Sequence, residues 1–189
     1  VSTKDFRFDC GATWLNLLAT SGQTFSARPI ERIDTPERLA DWLSRCELAP
    51  EHSPGPSDLE LAVSVRETVR AVALPTATGT PVPAVAVRAL AKLLSDLPAD
   101  VRLAPGDALL RRPPVDTAEA LGRIVRQAVS HLTGVERHDL LVCAEHDCQG
   151  IFIDPTGRRR WCPAPACASR GRVRALRARR QQAGAGAGE

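Results

Sequence analysis

The sequence predicts a mainly α chain with a small β component: a helical N-terminal domain over residues 5–135, then a compact module over 140–182 built from a β-hairpin and a basic helix. Three observations carry this. Apolar residues recur at helical spacing through most of the first 135 positions, four cysteines crowd into residues 143–167, and an arginine-rich run follows the last of them.

The elements of the body follow in order. Leu15 and Leu18 sit in one short apolar stretch. Thr35-Pro36-Glu37 supplies a capping residue, a proline at the first helical position and an early acid, and opens a helix with Leu39, Trp42, Leu43 and Cys46 on one face. Residues 50–56 break it. Ser57 with Glu60 reads as a capping box for a long helix carrying Leu61, Val65, Val69 and Val72. Leu74 to Pro83 reads as a loop, and a helix with Leu90, Leu93, Leu94 and Leu97 runs from there. Residues 100–112 fit a hairpin around Pro105-Gly106-Asp107. Asp116 and Glu119 open the last body helix, whose stripe is Leu121, Ile124, Val125, Ala128, Val129 and Leu132. The tail, 183–189, alternates Ala and Gly and is expected to be disordered.

Composition bounds the function. A hydrophobic content of 43% suffices for a core. No run approaches the roughly 18 apolar residues of a membrane span, and no secretory leader opens the chain, so the expected compartment is the cytoplasm. The chain has no Met, even at position 1, and is expected to begin after a removed start residue with a short piece missing. Charge is unevenly spread. Residues 1–154 hold 16 Lys and Arg against 21 Asp and Glu, whereas residues 155–180 hold nine Arg and no acid. A GC-rich genome would explain 23 Arg against two Lys, but not the missing acids. Such a block implies a polyanionic partner.

No catalytic constellation is readable. His52, His131 and His138 suit surface or capping roles, and Cys10 and Cys46 suit core packing, so the chain is expected not to be an enzyme.

The cysteines Cys143, Cys148, Cys162 and Cys167 are spaced x4, x13 and x4. Two close pairs separated by a stretch long enough to fold back are what tetrahedral thiolate coordination requires, so one structural zinc is expected. His146 as a substitute ligand, disulfide pairing and redox use are the alternatives. Gly150 to Ile153 reads as a strand, Asp154-Pro155-Thr156-Gly157 as a turn, and Arg158 to Trp161 as the returning strand. With so little apolar material in this stretch, metal binding is expected to supply much of its folding energy. Beyond Cys167, residues 168–180 favour helix, with Val173 and Leu176 as a narrow inward stripe. The expected nucleic-acid contacts are Arg158, Arg159, Arg160, Arg170, Arg172, Arg174, Arg177, Arg179 and Arg180.

The stretch from Cys148 to Asp154, the run Arg158-Arg159-Arg160-Trp161-Cys162 and the Cys167 turn resemble the CGNR zinc finger, a bacterial module. Cys167-Ala168-Ser169-Arg170 keeps the cysteine and arginine of its signature and replaces the Gly and Asn. Leu15 to Thr20, and better Asp34 to Leu39 with Trp42-Leu43, resemble the ABATE domain of stress-induced transcription regulators. The resemblance implies a helical sensing or assembly domain joined to a nucleic-acid reader. The expected function is therefore a zinc-containing DNA-binding regulator. RNA binding and a protein-interaction role are the rivals, with a homodimer and a small-molecule effector of the N-terminal domain as further expected partners.

Overall fold

The computed structural model describes residues 4–105 and 110–185. At its centre lies α1 (Thr13–Leu18), whose Trp14, Leu15, Asn16, Leu17 and Leu18 are all buried. Burial on every side demands polar closure. The Asn16 side chain accepts from the Cys10 N–H, and the Trp14 indole N–H donates to His131 at 3.1 Å. The long α3 (Pro56–Thr78) and α5 (Thr117–Thr133) enclose α1, with α2 (Pro36–Arg45) and α4 (Ala84–Asp96) packed on α3.

The caps explain the helix starts. Thr35 Oγ1 accepts from the Arg38 N–H at α2, and Asp116 Oδ1 from the Glu119 N–H at α5, as the sequence indicates. At α3 the cap lies elsewhere: Pro56 is the first helical residue and Asp58, not Glu60, accepts from the Gly55 N–H. The expected loop from Leu74 begins instead as the end of α3. Pro75 costs little in the last turn, where Thr76 and Thr78 hydroxyls bond back to Val72 and Leu74 and the Gly79 and Thr80 amides donate to Thr76 and Pro75.

Among the described residues, three two-stranded antiparallel sheets complete the fold: β1 (Ser21–Gly22) with β2 (Ile30–Glu31), β3 (Leu103–Ala104) with β4 (Leu110–Arg111), and β5 (Leu140–Val142) with β6 (Ile151–Ile153). The expected hairpin at 100–112 is present, its residues 106–109 lying outside the described part. A 3-10 turn, Val135–Asp139, leads into β5. The register pairs Leu140 with Ile153, Leu141 with Phe152 and Val142 with Ile151. Here the sequence reading needs correction, because β6 pairs with β5, which precedes Cys143, and not with Arg158 to Trp161. Pairing with β5 lets Leu140, Ile151 and Phe152 join the same core as Trp14 and Leu121. The arginines of the other segment would not survive that burial. The Asp154–Gly157 turn does form, with the Gly157 N–H donating to Asp154.

The last helix, α6 (Pro165–Ala185), starts three residues earlier than the expected Ala168 and runs into the Ala/Gly tail, of which 186–189 lie outside the described residues. Val173 and Leu176 are exposed, which overturns the expected inward stripe. The close approach is made instead at Gly171, where a β-carbon would stand 2.3 Å from Trp161 Nε1.

Candidate metal centre

Each cysteine is positioned by a different local device. Cys143 leaves β5 and its N–H donates to Gly150. The loop then doubles back because the Cys148 and Gln149 amides both donate to the Glu145 carbonyl, with Gln149 in the left-handed region at φ 44°. Cys162 is brought alongside when the Ala144 N–H donates to Arg160, and Asp154 fixes the intervening loop by accepting from Thr156 and the Arg159 N–H. Cys167 sits in the first turn of α6, so the metal ligand and the basic helix are one element.

The four Sγ atoms lie within 4.8 Å of one another, and Cys143, Cys162 and Cys167 are buried. Tetrahedral zinc with bonds near 2.3 Å needs sulfurs about 3.8 Å apart, and Cys148 and Cys162 stand 3.9 Å apart. A disulfide would need about 2.05 Å, and all six cysteines are free. The set therefore fits one zinc ion. Four protein ligands make this a structural site with no position for substrate. His146 is exposed with its ring on Asp147, so it is not drawn into the cluster.

Two arginines back the sulfurs. Arg7 Nη1 donates to Cys162 Sγ at 3.4 Å and Arg170 Nη2 to Cys167 Sγ at 3.7 Å. Such N–H groups offset thiolate charge. Sequence reasoning missed Arg7, which lies 155 positions from its sulfur partner. It also missed Glu145 and Asp147, although an acid pair inside the first cysteine spacing, just before an acid-free basic block, was the signal available.

The nine predicted contact arginines divide. Arg158, Arg159, Arg160, Arg172 and Arg177 are exposed, and none forms an ion pair among the described residues. Arg160 stacks over the Trp161 ring. Arg174 turns inward to the buried Glu145 at 2.8 Å and to Asp147 at 3.0 Å, and Arg170 faces Cys167 and Glu145. These two anchor α6. Arg179 and Arg180 lie farther along α6, and their side chains fall outside the described part.

His131 accepts from Trp14, the His52 ring meets the Val115 carbonyl, and burial pushes the Cys10 and Cys46 thiols up to about 12. No helix among the described residues is long and apolar enough to cross a membrane.

Comparison with known families agrees with this geometry. Residues 140–180 match the CGNR zinc finger, and residues 11–135 match the ABATE family, described as "Putative stress-induced transcription regulator". No curated protein matches the sequence significantly. With both matches spanning most of the chain, the protein belongs to the ABATE family and carries a CGNR zinc finger behind its helical body.

Proposed function

We propose that this protein is a non-enzymatic, cytoplasmic transcription regulator in which Cys143, Cys148, Cys162 and Cys167 hold one zinc ion and so aim α6 at duplex DNA. The observation that carries the reading is the group of five exposed arginines, without an ion pair among the described residues, on one acid-free stretch that also bears Cys162 and Cys167. Arg158, Arg159 and Arg160 form a basic loop beside the cluster, while Arg172 and Arg177 project from α6. A helix of 21 residues is about 31 Å long at 1.5 Å per residue. Such a rod enters the wide major groove of B-DNA but not the narrow one of A-form RNA, which favours DNA.

The test is fluorescence anisotropy of zinc-loaded protein on a duplex and on a structured RNA. The expected result is tighter duplex binding, weakened about tenfold by Arg172→Ala/Arg177→Ala and with a log–log salt slope smaller by about 2. Equal or tighter RNA binding would move the reading to RNA.

A second reading rests on Val173 and Leu176, 45% and 50% exposed beside Arg172 and Arg177. They suit packing of α6 against a protein partner, including a second copy in a homodimer. In that case Val173→Asp weakens assembly, seen by sedimentation, while the arginine pair leaves it unchanged.

A further inference from the structure

We infer that the cleft between the helical body and the cysteine cluster binds a small amphipathic carboxylate, which serves as the effector of the regulator proposed above and rests on that reading for its role, though not for its binding. The cleft holds about 700 Å³, a volume usual for small-molecule sites. Its apolar wall comes from Phe6, Phe8, Leu18, Ile30 and Ile151, and its cationic wall from Arg7 and Arg32, with Arg70 and Arg170 also lining it.

Arg32 is the unusual group. It is 9% exposed, yet among the described residues its guanidinium donates only to two backbone carbonyls, Asp5 at 2.8 Å and Ala19 at 3.0 Å. Two of its five N–H groups are thereby used. Its neighbour Glu31 is taken by Arg66, and no carboxylate pairs with Arg32 among the described residues. Burial first, then the charge of Arg7, hold its pKa below the ordinary arginine value. Gly22 makes room for the group, since a β-carbon there would stand 2.3 Å from Nη1. The cleft's acids do not serve: Asp9 is bonded by Arg7, and Asp5 offers Arg32 its backbone oxygen.

A buried guanidinium with no carboxylate partner keeps unused N–H donors, and a carboxylate matches its fork. The apolar wall calls for a hydrocarbon group on that carboxylate. Because Cys148, Cys162 and the first turn of α6 also line the cleft, a bound molecule touches both the body and the residues that aim the basic helix.

The competing account makes Arg32 a counter-charge for the sulfur cluster. Thermal melts of the zinc-loaded full chain separate the two, using benzoate and hexanoate as probes with benzyl alcohol and hexanol as neutral controls. At 10 mM, either carboxylate is expected to raise the midpoint by about 3 °C for millimolar affinity, and the alcohols to leave it unchanged. The shift should vanish in Arg32→Gln and in Ile30→Trp, which narrows the cleft without removing a charge. No carboxylate shift would overturn the site. So would an undiminished shift in both variants, or loss of zinc from Arg32→Gln with the shift retained. Carboxylate binding without DNA binding would keep the site and remove the regulator reading. DNA binding without the carboxylate shift would remove the site alone.

Discussion

The helical body and the cysteine module solve the same problem, holding a fold together, with different materials. In the body Trp14, Leu15, Leu17, Leu39, Trp42, Leu43 and Leu121 are fully buried. Two of its charged networks close within it, Arg66 with Glu31 and Glu67, and Glu119 with Arg123 and Arg102. The module has few large apolar side chains of its own. It lends Leu140, Ile151 and Phe152 to the body's core and gathers everything else around four sulfurs. Apolar burial scales with area and tolerates small losses, whereas a ligand set is completed or lost as a unit.

The largest expected effect breaks this contrast at the sulfurs. Cys162→Ser should reduce zinc from one per chain to none by elemental analysis. Hydrogen exchange should then show residues 143–167 unprotected while α3 and α5 remain protected. If α3 and α5 lose protection as well, the body depends on the metal and the contrast fails.

Next comes the seam. Phe152 is fully buried where β6 meets the body. Phe152→Ala should cost about 3–5 kcal/mol in denaturant unfolding, and both regions should lose stability together. An effect confined to the module would show that the shared core matters less than the sulfurs.

A smaller effect is expected at Gly171. Replacing a helical glycine with alanine ordinarily stabilises by about 1 kcal/mol, but here the new methyl would meet the Trp161 indole. Gly171→Ala should therefore destabilise the docking of α6 by about 1–3 kcal/mol, read as faster proteolysis near Trp161. Stabilisation would mean that Trp161 moves freely.

The gentlest probe is pH. Burial pushes Glu119 upward, but the Val115 N–H and Arg123 outweigh it and hold the carboxylate below its ordinary range. A depressed pKa gives stability that is present above the unfolded value, about 4.3, and is lost only as pH falls through the lower folded value. Zinc release needs only protonation of thiolates. Acid titration should thus release zinc at a higher pH than it melts the helices, and coincident transitions would contradict two separate modes of support.

Legibility followed the same division. α2 and α5 could be read because Thr35 and Asp116 are local signals beside periodic apolar residues, and the four cysteines because their spacing is short. What could not be read depended on partners distant in sequence. Leu140–Val142 is too short to signal a strand by itself, and its pairing with β6 is settled by burial against α1 and α3. The inward face of α6 is Gly171, Arg170 and Arg174, not Val173 and Leu176, because the surface it meets is an indole and two acids. A hydrophobic stripe is the wrong template for a helix docked on polar groups.

In the proposed function, the cysteine cluster, rather than the arginine content alone, is what would make α6 a DNA reader. Its most direct test is the affinity of one duplex for the zinc-loaded protein and for Cys162→Ser across a salt series. With five exposed arginines on the stretch, the zinc-loaded protein should show a log–log slope of about −4.5. Cys162→Ser should bind at least about tenfold more weakly at each salt concentration, because its arginines are no longer held in one arrangement. Equal affinity and slope in the two proteins would reduce the module to a charged tail and contradict the account.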